Sequence, residues 1–150
     1  MTVDENFRLP IWTSGKARGI DDEDAVIESV YDVLTELDDR RDAKVQNLSG
    51  GQAKMVAIGR ALALQPDLLI LDEPLEGLAP VVVESLKRYI REINDRDIAV
   101  LIAESNVTHV PDVVDRLYVI ERGDIVASGD PEELAADEDI QKLMQGSGTE

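Results

Sequence analysis

The chain has no cysteine, one histidine and few aromatic residues. Without cysteine there can be no disulfide and no thiolate metal site. The single imidazole, His109, cannot build a metal cluster by itself. No apolar run reaches the roughly 18 residues that a membrane-spanning helix needs, so direct lipid insertion is not expected. Bases are scarce as well. Fifteen Lys and Arg stand against 32 Asp and Glu, for a formal net charge of -17. Such a chain lacks the cations that neutralise nucleic-acid phosphates or anionic lipid, and neither partner is expected. Thr-Val-Asp-Glu-Asn follows Met1, which is no signal peptide, and the reading is a soluble, intracellular protein.

What is there is a 150-residue chain with 43% hydrophobic residues. That is too apolar for a disordered acidic tail and is enough for one ordinary domain. The acidity fits a salt-rich cytoplasm, where self-repulsion is screened. Equal melting temperatures in low and multimolar KCl would refute that reading. Charge is uneven: residues 1–47 carry -6, residues 48–110 carry -3 and residues 111–150 carry -8. The middle is the least acidic, which suits an anion bound there.

Residues 1–20 read as irregular, with Pro10, Gly15 and Gly19. From Asp22 to Asp39 the stripe Val26, Val30, Val33, Leu34 and Leu37 predicts one helix. A second helix is expected from Gly50 to Leu64, ending before Pro66. Leu68–Leu71 reads as a strand buried on both faces. Pro80 starts a third helix, to Asn94, with Val82, Leu86, Ile90 and Ile93 inward. Residues 98–103 form a second buried strand. Strand, helix, strand makes a βαβ unit with a parallel sheet. Leu117–Ile120 and Ile125–Ala127 flank Arg122-Gly123-Asp124 as a hairpin. Asp130-Pro131 opens a C-terminal helix or pair ending near Met144.

Two stretches carry chemistry. In Leu48-Ser49-Gly50-Gly51-Gln52, Ser49 can cap a helix and Gln52 can complete a capping box. Gly50 and Gly51 let a ligand approach the backbone, and the helix end attracts an anion. Lys54 and Arg60 add positive potential nearby. The same residues would also serve a plain loop-to-helix junction. The second stretch is Asp72-Glu73-Pro74, two carboxylates at the end of an apolar strand. In phosphoryl transfer an Asp there holds Mg²⁺, and the next Glu polarises the attacking water.

Together, Leu48–Gln52, Gly59-Arg60-Ala61-Leu62 and Leu68–Pro74 resemble the ATP-binding-cassette ATPases, from Thr2 to about Met144. The first stretch resembles their signature sequence and the last their Walker B motif. Within the family, Thr2–Asn6, Gly77-Leu78-Ala79-Pro80 and the C-terminal stretch from Asp130 are similar to the ATPase subunits of branched-chain amino acid importers. Glu104-Ser105-Asn106 stands where cassettes carry the switch residue, usually His and in this subgroup often Gln. Ser105 is then either a shortened switch residue or simply the end of a strand. Pro111 implies a shortened helix after it. A phosphate-cradling P-loop is not found: Gly15-Lys16 is the one Gly-Lys pair, with Pro10 and Ala17 at the neighbouring motif positions. The family's Q-loop is not found either. The chain thus resembles the C-terminal portion of a cassette.

The resemblance implies an α/β fold, a partial P-loop NTPase with a helical signature subdomain and the Walker B half of the parallel core sheet. Its expected parts are an irregular segment 1–20, a helical subdomain 21–65, a core portion 66–145 and a flexible tail 146–150. It implies ATP and Mg²⁺ as cofactors. Leu48, Ser49, Gly50, Gly51 and Gln52 would face nucleotide, Asp72 would hold the metal, and Glu73 and Ser105 would be catalytic. The implied partners are a second cassette subunit, whose ATP the signature contacts, and membrane permease subunits at the inner face of the cell membrane. The implied role is ATP-driven import of branched-chain amino acids. The competing reading is a non-catalytic regulatory partner of a complete cassette. A chromosome-maintenance ATPase shares the signature logic but fits the charge poorly. Without a phosphate cradle, the isolated chain is expected to turn over little ATP and to be marginally stable, with strand edges open where the P-loop strand would lie.

Overall fold

The structure is a computed structural model that describes residues 1–105 and 113–144. The expectations for Asn106, His109, Pro111 and the tail 146–150 lie outside those residues. The chain opens with helix α1, Val3–Pro10. Thr2 caps it, accepting from the Glu5 N–H, while the Glu5 carboxylate accepts from the Thr2 N–H. The expectation of an irregular segment here is therefore corrected. Val3, Phe7 and Ile11 recur every four residues and are all buried, a helical stripe that Pro10 and the glycines mask. Pro10 has no N–H to donate, and the chain runs on through a widened turn at Ile11–Gly15 and a tight one at Lys16–Arg18.

Helix α2 spans Glu23–Val33. The expected single helix to Asp39 instead breaks at Leu34 and resumes as a 3₁₀ stretch, Thr35–Arg40. Leu34 and Leu37 still reach the core, so the apolar stripe was real but the backbone tightens to deliver it. Helix α3 covers Gly50–Leu62. It crosses α1 closely, because Gly59 lies under the Phe7 ring and a Cβ there would overlap it. Phe7 in turn meets Tyr31 of α2 at 5.1 Å between ring centroids. Three helices thus share one core through a residue with no side chain.

Strand β1 (Leu68–Asp72), helix α4 (Pro80–Asn94) and strand β2 (Ala99–Ala103) form the expected βαβ unit. β1 and β2 pair in parallel from Leu68 opposite Ala99 to Asp72 opposite Ala103. Helix α4 buries Val83, Leu86, Ile90 and Ile93. Val82, expected in that set, is only partly buried and abuts α3 instead. The strands are not buried on both faces, which corrects a second expectation. Leu69 and Leu71 are buried, whereas Leu68 and Ile70 on the other face are 51% and 64% exposed. One helix layer covers one face, and among the described residues nothing covers the other.

Strands β3 (Leu117–Glu121) and β4 (Asp124–Gly129) form the expected antiparallel hairpin. Its turn places Arg122 and Gly123 at φ 51° and 93°, as a tight hairpin turn requires. Among the described residues this pair is not hydrogen-bonded to β1–β2. Asp130 caps helix α5, Pro131–Ala136, and helix α6 follows at Glu138–Met144. No helix among the described residues is long and apolar enough to cross a membrane.

Candidate functional site

The end of α3 is built as its residues dictate. The Ser49 hydroxyl accepts from the Gln52 N–H at 3.2 Å, and the Gln52 side-chain oxygen accepts from the Ser49 N–H at 3.1 Å. The capping box fixes the direction of entry and leaves the Gly50 and Gly51 amides at the first two helical positions. Those positions have no carbonyl one turn back to bond. Leu48 anchors the approach by packing partly against the core. Ser49 and Gly50 are exposed, and a Cβ at Gly50 would meet nothing within 4 Å. Gly51 differs: a Cβ there would lie 2.5 Å from Val82 Cγ1. Gly50 leaves the helix end open, while Gly51 lets α3 approach α4.

The second stretch lies at the end of β1. Asp72 is exposed at the strand terminus. Glu73 turns the chain sharply, at φ 47°, a left-handed conformation that costs a residue with a Cβ roughly 1–2 kcal/mol. The Glu73 N–H donates to the Ala103 carbonyl at 2.9 Å. Its carboxylate accepts from the Ser105 N–H at 3.2 Å and 3.4 Å. Hydrogen bonds from the Glu104 carboxyl first, and from the Ser105 hydroxyl and N–H next, hold the Glu73 carboxyl below the usual carboxylate range. Burial pushes Glu104 the other way, reinforced by its contact with Glu73, although the Leu75 N–H donates to Glu104 Oε1 at 2.7 Å. Of the two carboxyls, Glu104 is thus shifted toward the protonated form and Glu73 toward the anion.

The structure brings Glu73 and Ser105 together. It adds Glu104, which the motif reading passed over because only tertiary contact reveals it. Lys54 lies on α3, and its charge acts beside the turn that follows β1. Its ammonium donates to the carbonyls of Glu73 (3.0 Å), Pro74 (3.1 Å) and Glu76 (2.7 Å). Arg60 sits ten residues beyond Gly50, about 15 Å along the helix axis, and is exposed in its last turn. A positive side chain acts where its stem delivers it, not where its number stands.

The donor set at the start of α3 suits an anion such as phosphate. Two first-turn amides and a capped helix end favour an anion. For Mg²⁺, Asp72 offers one exposed carboxylate. Among the described residues no group of three His, Cys, Asp or Glu could hold a metal ion. That fits a magnesium bound chiefly by nucleotide phosphates and water, with one or two protein carboxylates, and not a protein cage.

Comparison with known proteins identifies the family. Residues 1–76 match the family described as ABC transporter. The lipopolysaccharide export ATP-binding protein LptB of Haemophilus influenzae is 40% identical over 106 residues, 71% of this chain and 44% of that protein. The high-affinity branched-chain amino acid transport ATP-binding protein BraG of Pseudomonas aeruginosa is 34% identical over 126 residues, 84% of this chain and 52% of that protein. The chain therefore spans about half the length of such relatives. The crystal structure of MJ1267 in its ADP conformation, an ATP-binding cassette of an ABC transporter, superposes with a TM-score of 0.77 at 30% identity. That match covers 97% of this chain and 63% of MJ1267. By its motifs, its fold and its matched residues, the chain belongs to the ABC transporter family.

Proposed function

We propose that the chain works as the signature-bearing part of an ABC transporter's ATP-binding subunit. Gly50 and Gly51 N–H groups, framed by Ser49 and Gln52, contact the terminal phosphate of ATP held by a partner cassette. The observation that carries this is the capped α3 terminus, with Ser49 and Gly50 exposed and open space at Gly50. Asp72 serves Mg²⁺ and Glu73 polarises water where a phosphate cradle is supplied. Residues 1–150 hold no P-loop motif, so purified alone the chain turns over negligible ATP. A partner cassette and inner-face permease subunits complete the working assembly.

For the solute, branched-chain amino acid import is the favoured reading. The match to BraG runs further along the chain than the match to LptB, and Gly77-Leu78-Ala79-Pro80 has that subgroup's form. Lipopolysaccharide export is the second reading, favoured by the higher identity to LptB. A non-catalytic role as partner of a complete cassette uses the same α3 terminus.

The test adds the chain to a complete cassette subunit and measures ATP turnover. Turnover is expected to change with the wild type and to stay at the subunit's own rate with Ser49→Arg, which blocks the helix end. Equal effects of the two chains would refute phosphate contact at α3. Turnover by the chain alone, abolished by Glu73→Gln, would refute the need for a partner.

A further inference from the structure

Lys54 is placed in a way that neither stretch of sequence explains. It stands five residues into α3 from Ser49, about 7.5 Å along the axis. An ammonium has three protons to donate, and here three backbone carbonyls converge on it within 3.1 Å. All three belong to the turn that begins with Glu73. The turn is held from β2 as well, through the Ala103 carbonyl and the Glu104 carboxyl. The left-handed backbone at Glu73 is the kind of strain that persists only where surrounding contacts over-determine it. In this arrangement the Lys54 protons are directed at the chain's own carbonyls.

We propose that Lys54 is a positioning residue, tying the anion-facing end of α3 to the turn that carries Glu73. Occupancy at Gly50 then shifts or steadies the Glu73 carboxylate through one short, rigid lever. The functional meaning rests on the ATP-sharing role above. The lever itself is a property of the folded chain and is tested without nucleotide. Helix α3 is stiff, and Ser49 sets the geometry of its first turn, so a disturbance at the cap should reach the turn only while Lys54 bridges them.

The test is a double-mutant cycle on the full chain, read by residue-resolved amide hydrogen exchange at Leu75, Glu76 and Leu78. Loss of three charge-assisted hydrogen bonds in Lys54→Met is expected to speed exchange there about ten-fold, with the middle of α4 unchanged. Ser49→Ala is expected to speed the same amides about three-fold when Lys54 is present and not at all in the double variant. A Ser49→Ala effect of equal size with and without Lys54 overturns the proposal, since a lysine that only props the turn leaves the two ends independent. Should Lys54→Met fail to fold, Lys54→Gln, with two donors on a shorter stem, runs the same cycle with the same deciding comparison. The turnover assay with Ser49→Arg is a separate measurement. If it fails while the cycle shows coupling, the ATP-sharing role falls and the lever stands.

Discussion

The helical part, residues 1–65, and the βαβ unit after it use apolar residues in opposite ways. In the first, Val3, Phe7, Ile27, Leu34, Leu37 and Met55 are all almost fully enclosed. Three helices close on each other through Gly59. In the second, half of β1 is as apolar as its core-facing half and lies open, with Leu68, Ile70 and Leu101 all more than half exposed. The first unit is self-covered. The second carries the composition of a layer between two others, with one of the two present among the described residues. Burial is thus a property of the neighbours a segment receives, as much as of its own pattern.

Four measurements would break or sharpen that comparison. The largest effect is expected for Phe7→Ala, which empties the junction of α1, α2 and α3 and should cost about 3–5 kcal/mol in denaturant unfolding. Ile70→Ser, on the open face, should change stability by about 0.5 kcal/mol or less. Comparable losses for the two would mean that the open face is covered in solution. Next, Gly51→Ala should lower stability by about 1–3 kcal/mol by overpacking against Val82, while Gly50→Ala leaves the melting temperature nearly unchanged. The reverse order would undo the division of labour between the two glycines. Third, Asp97 lies three residues past the end of α4 at φ 61°, so Asp97→Gly should raise stability by roughly 0.5–1 kcal/mol, since glycine enters that region without strain. A lower melting temperature would show an unseen role for the aspartate.

The smallest effect concerns pH. Burial raises Glu104 in the folded state, so its contribution is full below the unfolded carboxylate value and is lost as pH rises through the folded one. Glu73 is lowered, so its contribution is present above the unfolded value and is lost as pH falls through its folded one. Glu104→Gln keeps a donor for Glu73 and an acceptor for Leu75. Its melting temperature should therefore hold where the wild type declines through the raised Glu104 range. Parallel melting curves from acid to neutral pH would show that the two carboxyls do not share a proton.

The legible parts of the fold were those written in local chemistry. The Ser49–Gln52 capping box, Pro80 at the start of α4, the Arg122-Gly123 turn and the Asp130 cap each involve residues within a few positions of one another. What escaped was set by distance along the chain. The α1 stripe of Val3, Phe7 and Ile11 was readable but masked by Pro10. The need for glycine at 59 depends on a ring 52 residues away. At the candidate site, Ser49, Gly50, Asp72 and Glu73 announce themselves by type and spacing. Glu104 and Lys54 do not, because each acts through backbone groups of a turn 19 to 29 residues distant.

The open face of β1 also bears on how the molecule behaves in crowded solution. A ledge of Leu68, Ile70 and Leu101 would draw copies together, and the charge of -17 keeps them apart. Colloidal stability is then a contest between the ledge and the carboxylates around it. Protonating those carboxylates weakens the repulsion. Acid should therefore make this chain associate, which light scattering followed against pH would detect.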